Sequence, residues 1–197
     1  MEQINTLPDV YLQMHAKQDQ PKSQAGKYSL RASILALINE TVYLLKNLLI
    51  VYHSKTGNTQ ALAERVLHGA QHEDVSGVDV RYLTAAQAGP ADLLWAHGLL
   101  LGTPENFGYM SGALKDFFDR TFYEVEGKLN PLPYALFVSA GNDGTGAVRS
   151  IERIANGYPL QRIAEPIISR GAPDNATLRA CSELGTSLAA GLELGIY

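Results

Sequence analysis

A single cysteine, Cys181, in a chain of 197 residues leaves no partner for an intrachain disulfide and no ligand set for a multi-cysteine metal site. It falls in the last amphipathic segment, where a lone Cys is expected as a small buried apolar residue. The five histidines, His15, His53, His68, His72 and His97, show no HExxH or comparable ligand spacing. His68 and His72 are four apart and share a helix face, but two ligands without a third do not make a metal site, and no metal is expected. No long uninterrupted apolar run is present either. The most apolar stretch, Leu30 to Tyr52, is broken by Arg31, Glu40 and Lys46, so it fails as a membrane span of about 20 apolar residues. The Gln-rich start lacks the apolar stretch and small cleavage-site residues of a secretory signal, and the expected location is the cytoplasm. There is no excess of basic charge: the formal net charge is −4, with no Lys/Arg cluster, which argues against nucleic acid as a partner.

What remains is an ordinary soluble composition, 46% hydrophobic and 18% charged, enough to bury one core. Residues 1–46 read as an N-terminal extension. It is polar and disordered to Gly26, then carries Leu30, Ile34, Leu37, Ile38, Val42 and Leu45 at helical spacing. Residues 47–197 alternate apolar runs with helical patterns. Strands are expected at Leu48–Tyr52, Val78–Leu83, Gly98–Gly102, Tyr134–Val138 and Ile163–Ser169, the last interrupted by Pro166. Helices are expected at Thr59–Gly69, Ala91–Ala96, Ser111–Glu126, Ala147–Ala155 and Ala176–Leu192. Five strands separated by helices imply an α/β three-layer sandwich: a five-stranded parallel sheet, order 2-1-3-4-5, with helices on both faces. In such sheets ligands sit beyond the carboxyl ends of the strands, so the loops after strands one, three and four are where function is sought.

The first of these loops runs Ser54-Lys55-Thr56-Gly57-Asn58-Thr59 between a strand and a helix. Hydroxyls, a turn-permitting glycine and the N–H groups of a helix start suit a phosphate. The spacing is neither that of an ATP-binding P-loop nor GxGxxG. The run Ile50 to Val66, with its two aliphatics, an aromatic, the hydroxyl-rich turn, then Thr59, Ala63 and Val66, resembles the FMN-phosphate signature of flavodoxins. The resemblance implies binding by hydroxyls and backbone N–H groups, with Lys55 turned to solvent.

The second loop, Gly102 to Gly112, holds Thr103, Pro104, Glu105, Asn106, Phe107, Gly108, Tyr109 and Met110. Phe107 and Tyr109 are aromatics in a loop, placed either to meet a flat partner or to pin the loop to the core. The stretch is similar to the flavin-ring loop of NAD(P)H-dependent FMN oxidoreductases, in particular the tryptophan-repressor-binding-protein-like quinone oxidoreductases. Thr103-Pro104, Phe107-Gly108 and Met110 sit at matching positions. The third loop, Ser139, Ala140, Gly141, Asn142, Asp143, Gly144, Thr145 and Gly146, is implied by the same resemblance to cover the dimethylbenzene or ribityl side of the flavin, with Asp143 expected as a helix cap.

The resemblance covers Asn47 to Tyr197 and implies an FMN enzyme. Hydride from NADH or NADPH would pass through FMN to a quinone-like small acceptor, in a cytoplasmic homodimer or homotetramer. No catalytic residue is expected, since no Ser-His-Asp or paired-carboxylate arrangement is evident. Two alternatives stay open: a flavodoxin-type one-electron carrier, and a cofactor-free binding module. The modest excess of acid in residues 47–197, 16 Asp and Glu against 11 Lys and Arg, and the form of the second loop favour the enzyme.

Overall fold

Apolar residues run through the strands without alternation, so each strand must be covered on both faces. The computed structural model describes residues 45–197, and the expectations for the extension before them lie outside the described residues. Strand β1 (Lys46–Tyr52) leads to helix α1 (Asn58–Ala70), β2 (Val78–Thr84), α2 (Pro90–Trp95) and β3 (Gly98–Asn106). A two-residue strand β4 (Tyr109–Met110) precedes α3 (Gly112–Val125), β5 (Leu132–Ala140) and α4 (Thr145–Ala155). Strands β6 (Leu160–Arg162) and β7 (Ile167–Arg170) then lead to α5 (Asn175–Glu193).

The sheet runs β2-β1-β3-β5-β6, with β7 also paired to β5 and β4 to β3. All pairs are parallel except β3–β4. Successive side chains along each strand divide between two cores. Leu49, Val51, Leu99, Leu101, Leu136 and Val138 face α2, α3 and α4, where Leu93, Leu114, Phe117 and Ile151 meet them. Leu48, Ile50, Leu100 and Phe137 face α1 and α5 through Leu62, Val66, Leu184 and Leu188. Phe117 and Phe137 are fully buried, and each contributes about 3 kcal/mol on transfer from water.

The flavodoxin-like fold and its central strand order are those expected, with two departures. Of the expected fifth strand, Ile163–Ser169, only the part from Ile167 is strand, and a separate short strand, β6, precedes it at Leu160–Arg162, with Pro166 in the gap. Proline has no N–H to give the ladder, and Arg162 turns aside there to pair with Glu152 at 2.7 Å and Glu165 at 3.3 Å. The third strand runs four residues past Gly102 and returns through β4, so part of the expected second loop is a β-hairpin.

Helices α1 and α5 pack backbone to backbone. A Cβ on Gly69 would lie 1.8 Å from the Ser182 carbonyl oxygen, and one on Gly185 2.1 Å from that of Val66. Thr186 Oγ1 donates to the Gly69 carbonyl at 2.8 Å. Cys181 is buried beside this seam, and burial pushes its thiol up to about 12, so it is inert as a nucleophile. The sequence signals for this seam were small residues with no strand or turn to explain them. Substituting Gly185→Ala is expected to destabilise the fold by about 1–3 kcal/mol, read as a lower urea midpoint with unchanged slope, even though Ala is the better helix former.

Candidate functional site at the carboxyl edge of the sheet

The loops after β1, β3 and β5 meet at the carboxyl ends of three adjacent strands. Loop one begins where β1 ends: the His53 N–H donates to the Gly102 carbonyl at 3.0 Å, tying it to β3. Ser54 Oγ accepts from the Gly57 N–H at 3.1 Å, closing a tight turn. Gly57 caps α1 with φ +96°, in the left-handed region, and a Cβ there would meet nothing within 4 Å. Glycine is therefore required by the backbone and not by crowding.

Among the described helices α1 is unlike the rest. The others begin with a side chain at the first turn: Asp92 on the Gly89 N–H, Ser111 on Leu114, Asp143 on Thr145 and Asp174 on Thr177. Helix α1, like α4, has a glycine at its cap in the left-handed region and no acid in its first turn. What sets it apart is that no side chain accepts from its first N–H groups, whereas at α4 Asp143 takes the Thr145 N–H and Glu105 those of Gly144, Gly146 and Ala147. Its first N–H groups, on Asn58, Thr59 and Gln60, lack partners within the helix and lie beside Ser54 and Thr56. Lys55 is exposed, in keeping with a side chain turned to solvent.

Two of the candidate phosphate-binding residues also brace the loop with their side chains. Thr59 is buried, and its Oγ1 lies 2.7 Å from Ser139 Oγ at the end of β5. Asn58 Nδ2 donates to the carbonyl of Gly171, after β7, at 3.3 Å. His53 Nδ1, by contrast, is buried without a hydrogen-bond partner. Burial, and secondarily the positive charge of Lys55, lowers its pKa and holds the imidazole neutral.

The hairpin after β3 turns on Phe107 and Gly108, with φ of +53° and +70°, between the paired residues Asn106 and Tyr109. Positive φ at both central positions marks a type I′ turn, whose favoured residues are Asn-Gly. Phe107 is 108% exposed and Tyr109 43%, so of the two readings of these aromatics, pinning the loop to the core is not what the structure shows for Phe107. The pinning is done by others. Thr103 is buried, its Oγ1 donating to the Pro104 carbonyl and accepting from the Ser111 N–H, both at 3.0 Å. The N–H of buried Met110 donates to Ser150 Oγ at 3.0 Å.

Loop three starts at the buried residues Ser139 and Ala140 and emerges at the exposed Gly141 and Asn142. Gly144 caps α4 at φ +75°. Asp143 stands one residue earlier and accepts from the Thr145 N–H at 2.8 Å. These hydrogen bonds hold its carboxyl below the usual range, so it acts at the helix start as expected, although Gly144 is the capping residue. Sequence reasoning placed Gly146 in loop three without a role, and missed Ser150 and Gly171, which hold Met110 and Asn58. The Gly144-Thr145-Gly146 spacing was the available signal, since a Cβ on Gly146 would lie 2.1 Å from the Gly108 carbonyl oxygen. Among the described residues no group of three or more His, Cys, Asp or Glu could hold a metal ion.

A family model described as NADPH-dependent FMN reductase matches residues 47–158. The chain belongs to that family. A flavodoxin from Aquifex aeolicus (strain VF5) is 37% identical to it over 50% of this chain and 52% of its own length. An NAD(P)H dehydrogenase (quinone) from Acidithiobacillus ferrooxidans is 31% identical over 52% of this chain and 60% of its own. The chain thus spans only between half and two thirds of these two curated relatives. The solved structure of an archaeal flavodoxin superposes with a TM-score of 0.65 at 23% identity, covering 75% of this chain and 99% of that one. That likeness establishes the fold.

Two stability measurements test this geometry. Ser139→Ala leaves the buried Thr59 hydroxyl without its partner and is expected to cost about 1–3 kcal/mol in urea unfolding. Phe107→Asn loses no burial and relieves a left-handed phenylalanine, so it is expected to raise stability by about 1 kcal/mol.

Proposed function

We propose that loop one holds the phosphate of FMN and that the protein passes hydride from NAD(P)H through FMN to a small quinone-like acceptor. The observation that carries this reading is the bare start of α1. Side chains accept from N–H groups at the starts of the other described helices, whereas the N–H groups of Asn58, Thr59 and Gln60 in the first turn of this one meet no side chain. A phosphate completes such a helix start, with its charge on the positive end of the dipole. The residues present fit the group: Ser54 and Thr56 supply hydroxyls, Gly57 leaves open space, and the buried His53 Nδ1 still lacks a hydrogen-bond partner.

FMN, when bound, would supply the redox chemistry. The chain's own residues then bind and orient it. Ser54, Thr56, Gly57 and the N–H groups of Asn58 and Thr59 take the phosphate end. Pro104 to Tyr109, with Gly141 and Asn142, form the walls of the ring end. Thr59, Thr103, Met110, Ser139, Ala140 and Gly144 act from below, by fixing the loops. No side chain is required as an acid or base.

One observation favours a second reading, a one-electron carrier. The fully exposed Phe107 is the kind of protruding apolar group that a partner protein would cover. A single preparation separates the two readings. A yellow protein whose colour bleaches rapidly on anaerobic addition of NADH or NADPH is expected. A yellow protein that ignores both nucleotides but gives a stable one-electron-reduced form on chemical reduction makes it a carrier, and a protein that takes up no FMN overturns both readings. Within the same preparation, Ser54→Ala and Thr59→Ala are expected to weaken FMN binding roughly tenfold while riboflavin, which lacks the phosphate, loses less.

A further inference from the structure

Glu105, near the end of β3, is half-buried. Its carboxylate reaches across to the start of α4, where Oε1 accepts from the N–H of Gly146 at 3.0 Å and of Ala147 at 3.4 Å. Oε2 accepts from the N–H of Gly144 at 3.3 Å. An anion therefore already sits where α4 exposes its first N–H groups, and it comes from the hairpin strand. The hairpin is held to α4 twice more, by Met110 N–H on Ser150 Oγ and by the close approach of Gly108 to Gly146.

Two helix starts, those of α1 and α4, open at the carboxyl ends of β1 and β5, which are separated by β3 alone. At about 4.8 Å per strand these ends are roughly 10 Å apart. Both helix starts attract a phosphate by the same physics, so nothing in backbone geometry alone says which one takes it. The difference is the carboxylates at α4: Asp143 takes the Thr145 N–H, and Glu105 takes the three N–H groups around it.

We propose that Glu105 is a positioning residue that fills the start of α4, leaves the phosphate to α1, and joins the hairpin and loop three into one wall for the ring end of the cofactor. This rests on the FMN reading above. Held by three N–H groups, the carboxylate keeps β3 and β4 against α4, and that anchorage maintains Phe107 in its left-handed conformation. Without it, the hairpin is free to swing from loop three, and the ring end loses one side.

The test uses Glu105→Ala and Glu105→Gln in the full chain, followed by amide NMR and by affinity for FMN and riboflavin. In the wild type, inorganic phosphate is expected to shift the amides of Asn58, Thr59 and Gln60 only. In E105A it also shifts those of Gly144, Gly146 and Ala147, because the vacated helix start now accepts the anion. Riboflavin affinity falls roughly tenfold in E105A, and E105Q, which keeps an acceptor oxygen, recovers most of it. A merely structural glutamate would lower stability without opening α4 to phosphate or weakening riboflavin, and that outcome overturns the proposal. If E105A does not fold, E105Q decides: faster hydrogen exchange at Gly144, Gly146 and Ala147 supports the clamp, and wild-type exchange overturns it. A wild type that takes up no FMN overturns the FMN reading instead, whereas FMN binding unchanged between wild type and E105A overturns this proposal alone.

Discussion

The hydrogen bond between Thr59 Oγ1 and Ser139 Oγ, 2.7 Å long and buried, sets the geometry on which the candidate site depends. It joins the first turn of α1 to the end of β5 across the width of two strands. With it, the N–H groups of α1 point over the sheet at a fixed height beside the ends of β3 and β5. A buried hydroxyl pair of this kind is costly to break, because either oxygen alone is left desolvated without a partner. Neither hydroxyl is free to wander, and loop one inherits that rigidity.

From this base the rest of the edge is assembled by short polar struts. Ser54 closes the turn before Gly57, Thr103 holds Ser111 at the start of α3, and Ser150 holds Met110. The last two satisfy backbone N–H groups that burial would otherwise leave unpaired. The groups left open are then informative. They include the first N–H groups of α1, the exposed ring of Phe107, and two buried atoms without partners, His53 Nδ1 and the Tyr82 hydroxyl. Strain and exposure at Phe107 are local costs in a fold otherwise well satisfied, and such costs concentrate where a protein meets its ligands or partners.

Much of the fold was legible because its signals are local. Leu48-Leu49-Ile50-Val51 reads as a strand covered twice, and the structure buries all four. The 3.6-residue spacing of Leu114, Phe117 and Phe118 reads as the inner face of a helix, and it is one. The division of the last strand was only half legible. Pro166 signalled a defect, but not that the chain would pair twice with β5, once at Leu132–Tyr134 through β6 and again at Phe137–Ala140 through β7. The hairpin was less legible still, because Phe-Gly is a poor type I′ pair. Contacts with Ser150 and Gly146, about 40 residues away, override local turn preference there.

The same division holds at the site. By itself the sequence determined that a hydroxyl- and glycine-rich turn joins a buried strand to a helix, since strand period, turn chemistry and helix start are all written within twenty residues. Only the tertiary structure decided which of those side chains face outward. Thr59 turns down to Ser139, Asn58 turns aside to Gly171, and Glu105 turns away to α4. Each of these partners lies between 39 and 113 residues away along the chain, and a side chain's hydrogen bonds are chosen by what folding brings near, not by its neighbours in sequence.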